Sequence, residues 1–139
     1  FIMENIVEKI SKIEHLYKLK GCKIEQIEAA QKELGLEFPE EFVDYVKKYG
    51  AISFYATEWT GLNVPKSLDV VHITEEERSL NPDFPKDCFV LENQGIDGII
   101  TVVDQDGKVY AVQYEKKRLL CNSISEYLDC CIARKTVKR

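Results

Sequence analysis

Leu34-Gly-Leu-Glu-Phe-Pro39-Glu-Glu-Phe-Val-Asp-Tyr-Val-Lys-Lys-Tyr-Gly50 is the stretch on which the fold turns. Gly35 can take the left-handed conformation that ends one helix, and Pro39 has its φ already set for the start of another. Glu40, Glu41 and Asp44 then sit toward the positive end of the second helix and Lys47 and Lys48 toward its negative end, with Gly50 placed to stop it. Phe42, Val46 and Tyr49 share one face, widened by Val43 and Tyr45. The pattern predicts a helix, turn, helix unit whose second member is buried against a sheet built from later residues.

Upstream, Met3, Ile6, Ile10, Ile13 and Tyr17 recur at spacings of three and four, which predicts a first helix over 3–19, ended by Gly21. A second helix is expected over 24–34, with Ile24, Ile27, Ala30 and Leu34 inward. Beyond Gly50 the period changes. Residues 51–56 read as a strand, 57–65 as a loop or irregular edge strand, and 68–73 as a short extended segment. Thr74 with Glu77 looks like a capping box for a brief helix over 74–80. Residues 88–92 form an apolar strand, 93–98 a turn, and 99–103 a strand apolar on both faces, which belongs centrally and under helices. Asp106-Gly107 signals a tight primed turn into a strand over 108–114. Lys116, Lys117 and Arg118 read as a loop tip. Ser123 with Glu126 caps a final helix facing inward through Ile124, Tyr127, Leu128 and Cys131. The fold class is therefore α+β: N-terminal helices and a C-terminal helix packed on a mostly antiparallel sheet of about five or six strands. One domain spans 1–139.

The order of these pieces resembles the SUKH superfamily, the Smi/Knr type of domain. The resemblance rests on Leu34-Gly35, Pro39-Glu-Glu-Phe42 and Tyr49-Gly50, then Leu68-Asp-Val-Val with Thr74 and Arg78. It continues through Phe89-Val-Leu-Glu before Gly95-Ile-Asp-Gly98 and ends with Gly107-Lys-Val-Tyr110. It covers roughly residues 24–132. It implies a protein-binding role: bacterial members are immunity proteins that neutralise a cognate polymorphic toxin, often a nuclease, and fungal relatives are cell-wall synthesis regulators that act through partners.

Composition bounds the chemistry. The 139 residues carry 24 acidic and 19 basic side chains, a net charge of −5, which argues against nucleic acid as the main partner and fits a basic protein partner better. The basic tail of Arg134, Lys135, Lys138 and Arg139 reads as a frayed end. No apolar run approaches the roughly 20 residues that cross a membrane, and the N-terminal stretch lacks a signal peptide's apolar segment, so the expected address is the cytoplasm, with no membrane partner. Five cysteines (22, 88, 121, 130, 131) without Cys-x-x-Cys spacing read as free thiols. Of Cys130 and Cys131, at most one can face inward.

No phosphate loop, zinc motif or nucleophile elbow occurs, and Asp104-Gln-Asp-Gly107 fails as a calcium loop at both ends. His72 beside a thiol is the remaining catalytic alternative. We expect no enzyme, no cofactor and no metal. The candidate partner-binding residues are Trp59, as an interface anchor, with Glu58 beside it, and Asn93, Asp97, Asp104 and Asp106, expected to gather at neighbouring turns. A regulatory adaptor is the alternative function.

Overall fold

A computed structural model describes residues 4–136. Met3 of the expected first helix, and Lys138 and Arg139 of the basic tail, lie outside the described residues.

Helix α1 (Ile6–Ser11) opens on Asn5, whose side chain accepts from the Glu8 amide at 2.9 Å, and buries Ile6 and Ile10. It is far shorter than the periodicity suggests. His15 turns the chain through a left-handed conformation (φ 59°), and strand β1 (Tyr17–Lys20) follows, with Tyr17 exposed instead of completing a helical stripe. The apolar spacing was right for Ile6 and Ile10 but ran on by coincidence into a strand.

Helix α2 (Ile24–Leu34) ends as the sequence requires, on Gly35 in the left-handed region (φ 68°), burying Ile27, Ala30 and Leu34 while Ile24 stays exposed. Helix α3 (Glu40–Lys48) begins directly after Pro39 and buries Phe42, Tyr45 and Val46. Gly50 does not stop it. Tyr49 takes extended geometry at the helix end, and Gly50 already lies in strand β2 (Tyr49–Phe54). The glycine is there because backbones meet: a Cβ on Gly50 would sit 2.5 Å from the Lys20 carbonyl oxygen, and the Gly50 carbonyl accepts from the Leu62 amide at 3.0 Å.

Strand β3 (Thr57–Trp59) completes an antiparallel sheet in the order β1-β2-β3. Helix α4 (Val70–Leu80) starts a turn earlier than the sequence suggests. Asp69, not Thr74, is its cap, accepting from the amides of Val71 (2.8 Å) and His72 (3.3 Å). Thr74 lies mid-helix and fully buried, its hydroxyl accepting from the Val90 amide at 3.0 Å. The expected extended segment at 68–73 is thus mostly helix.

A second antiparallel sheet runs β4 (Cys88–Ile96), β5 (Ile99–Asp104), β6 (Val109–Gln113), β7 (Lys116–Cys121). Strand β4 carries on through most of the expected turn at 93–98, which shrinks to Asp97-Gly98, both at positive φ (51° and 72°). Asp106-Gly107 does join β5 to β6, though not by a primed turn. The Gly107 amide donates to Asp104 (3.1 Å) and only Gly107 is left-handed (φ 89°), a type I turn closed by a glycine bulge. Lys116, Lys117 and Arg118 are no loop tip; they lie on β7, the open edge of this sheet. Lys18 and Lys20 occupy β1, the outer edge of the other.

The strands thus number seven, shared between two antiparallel sheets, in an α+β fold. The sheets meet where the Thr60 amide donates to the Leu91 carbonyl (2.9 Å) and its hydroxyl to the Val90 carbonyl (2.8 Å). Alternation along β4 sends Phe89 and Leu91 into the main core and Cys88 and Val90 into a second cluster with Phe84, Ile100, Val102 and Val112, against which Ile73 of α4 packs. The main core holds a chain of aromatic rings: Phe42 to Phe89 (4.6 Å), Tyr45 edge-on to Trp59 (5.5 Å), and Trp59 stacked with Tyr127 (6.3 Å). Helix α5 (Ile124–Ala133), capped by Ser123 as expected, closes this side with Ile124, Tyr127, Leu128 and Cys131, leaving Cys130 outside. No helix among the described residues is long and apolar enough to cross a membrane.

Candidate functional site

Beyond their junction at Thr60 the sheets part, and a cleft of about 510 Å³ opens between the β2-β3 hairpin and the outer half of β4. Ser53, Thr57 and Glu58 form one wall, Asn93, Gln94 and Ile96 the other, with Glu92 and Arg134 at the base.

The base is a closed polar network. Glu92 ends the apolar run Phe89-Val-Leu and is 3% exposed. A carboxylate there requires partners, and it has them. Arg134 Nη1 donates to Glu92 Oε2 (2.7 Å) and to Thr57 Oγ1 (2.8 Å), and its Nη2 to Tyr127 Oη (3.2 Å). The Tyr127 hydroxyl donates to Glu92 Oε1. Since that proton is committed, the Thr101 hydroxyl is left to donate to Tyr127 (3.1 Å), and Gln94 Nε2 donates in turn to Thr101 (2.9 Å). Protons therefore point one way along Gln94, Thr101, Tyr127 and Glu92. Burial and the Glu92 charge both push the Tyr127 phenol up, so it stays a donor. Burial opposes the charge on Arg134, yet Glu92, with Cys131 and Tyr127, more than offsets it and the guanidinium is held more firmly protonated than usual. Burial, reinforced by Glu92, also pushes the neighbouring Cys131 thiol up to about 12, which makes it a poor nucleophile.

Three of the six expected site residues reach this mouth or its rim. Glu58 is exposed on β3, directly opposite Ser53 in register. Asn93 is exposed and accepts from the Gly95 amide (2.9 Å), while Asp97 stands exposed at the hairpin tip that extends the same wall. Trp59 is a correction. It is 0% exposed, between Tyr45 and Tyr127, so it supports the cleft from beneath and presents no ring to a partner. Strand alternation explains this: Glu58 points out, hence Thr57 and Trp59 point in.

Asp104 and Asp106 are a second correction. Successive hairpins place their turns at opposite ends of a sheet, so these two lie a full β5 strand away from Asp97. Asp104 is buried and occupied: Oδ1 accepts from the amides of Asp106 (2.9 Å) and Lys108 (3.0 Å), and Oδ2 from the Tyr110 hydroxyl (3.0 Å). It organises a turn. Burial and this bond push the Tyr110 phenol up to about 12.

Sequence reasoning missed Glu92, Tyr127 and Arg134 as members of one network. The available signal was an acid closing a buried apolar run, which demands a cation from elsewhere in the chain. His72, the catalytic alternative, is exposed on α4 with Glu76 at 4.0 Å as its ionic neighbour. Among the described residues no group of three or more His, Cys, Asp or Glu side chains is placed to hold a metal ion.

Comparison with curated proteins finds no match. The family model SUKH_5, described as SMI1-KNR4 cell-wall, matches residues 3–133. That span takes in the Gly35 to Pro39 hinge, both sheets and α5, and the chain belongs to the SUKH superfamily.

Proposed function

We propose that this chain is a non-enzymatic immunity protein of the bacterial cytoplasm that binds a cognate basic toxin domain and neutralises it by covering its surface. The observation that carries this reading is the cleft: Glu58, Asn93 and Asp97 stand on the rims of two hairpins above a base whose own charges are satisfied. A base that is fully hydrogen-bonded has nothing to offer a reaction, while the free acids at its rim suit Lys or Arg side chains of a partner. Net charge of −5 favours encounter with a basic domain. The buried thiols of Cys88 and Cys131, both pushed up to about 12 chiefly by burial, also suit a binding role better than a nucleophilic one.

The test is to mix the protein with the toxin domain encoded beside its gene and follow complex formation by calorimetry and survival of toxin-expressing cells. A complex that weakens in Glu58→Lys/Asp97→Lys, chiefly through slower association and more so at low salt, supports the reading. Neither complex nor protection would refute it. The family description's reference to the cell wall favours a second reading, a regulatory adaptor. Affinity capture separates the two, since an adaptor would return several stable partners and an immunity protein one dominant toxin.

A further inference from the structure

A second pocket, of about 380 Å³ and sharing no lining residue with the cleft, lies between the end of α2 and the loop that leads from α4 to β4. Leu34, Pro82 and Phe84 line it with apolar surface, and Arg78 and Lys86 bring positive charge to it. Arg78 is half-buried and incompletely served. Its Nη2 donates to the Lys86 carbonyl (3.1 Å), its Nε is sealed from solvent without an acceptor, and no carboxylate forms an ion pair with it among the described residues. Glu75, one turn back on α4, feels the Arg78 charge without forming an ion pair with it, and its carboxyl is raised instead by a hydrogen bond to Glu33 of α2. A half-buried guanidinium that lines a pocket and has no acid paired with it favours an anion there. The apolar lining adds a second requirement, that the anion be attached to something hydrophobic.

We propose that this pocket is a binding site for a carboxylate carried on a small apolar group, such as the C-terminal carboxylate of a peptide ending in an aliphatic residue or a free acid of the same shape. The carboxylate faces the Arg78 fork with Lys86 beside it, and the aliphatic group rests on Phe84, Leu34 and Pro82. The proposal is independent of the toxin-binding reading, which concerns a different set of residues.

Calorimetry and amide chemical-shift mapping on the full chain, with N-acetyl-leucine, its amide, and a short peptide ending in leucine, test it. The acid is expected to shift signals around Arg78 and Phe84 and to bind at least about tenfold more tightly than the amide. Tighter binding of the peptide than of N-acetyl-leucine identifies a peptide terminus as the natural occupant; equal binding identifies a small acid. Arg78→Gln should abolish the preference for the acid. Lys86→Gln, whose side chain holds no part of the loop, should weaken it several-fold without affecting folding. Glu58→Ala, in the cleft, should change nothing. Equal affinity for acid and amide, or no shifts at the pocket, overturns the proposal.

Discussion

Arg134 and Arg78 are both half-buried, and their surroundings could hardly differ more. Arg134 is enclosed by Glu92, Tyr127 and Thr57 and reaches the Ala56 carbonyl at 3.5 Å. Arg78 holds one carbonyl and no acid. A guanidinium whose donors are answered from within the chain is a structural tie, and one that lines a pocket without an acid paired to it is a place for something from outside. Removing the first should therefore damage folding, and removing the second should damage binding.

The largest expected effect tests the tie. Glu92→Ala strands Arg134 and the Tyr127 hydroxyl and should cost about 3 kcal/mol in urea denaturation, at the low end for a broken buried pair because the Arg134 side chain keeps 25% of its exposure. Tyr127→Phe leaves the ion pair but removes a donor to Glu92, and should cost about 1 kcal/mol by the same measurement. Arg78→Met should change stability by no more than about 0.5 kcal/mol. A loss equal to that of Glu92→Ala would break the comparison. The smallest effect concerns the acid that Arg78 does not pair with. A hydrogen bond that the protonated Glu75 carboxyl donates to Glu33, then desolvation, raise it above its ordinary range. A carboxyl that holds its proton more tightly in the folded state favours folding more as pH falls through its raised value, until the unfolded chain is protonated too. Thermal melts from neutral pH down to about 4 should therefore show wild type gaining on Glu75→Gln as acid is added.

These ties and vacancies were unevenly legible in the sequence. Local rules sufficed where neighbours decide the outcome. Gly35 and Pro39 mark the hinge, Ser123 caps α5, and the run at 99–103, apolar on both faces, becomes the buried centre of a sheet. They failed where distant residues decide. Tyr17 belongs to a helical spacing but pairs with Ser53, and Lys116 to Arg118 have the composition of a loop yet pair with β6. The candidate site shows the same division. Turn chemistry flagged Asn93 and Asp97, and Glu58 stood out beside Trp59, but the network beneath them joins residues 57, 92, 101, 127 and 134, and no local pattern announces that meeting. Trp59 was misjudged because its neighbours are polar while its strand faces the core.

The two outermost strands have one composition in common. Both carry cations: Lys18 and Lys20 on β1, and Lys116, Lys117 and Arg118 on β7, in a protein whose overall balance is acidic. A bare strand border is a template for another copy, and positive side chains along it are a deterrent, since two such borders laid side by side repel at each step. Cationic borders of this kind disfavour edge-to-edge pairing of two copies at either flank, although the protein as a whole carries more acid than base.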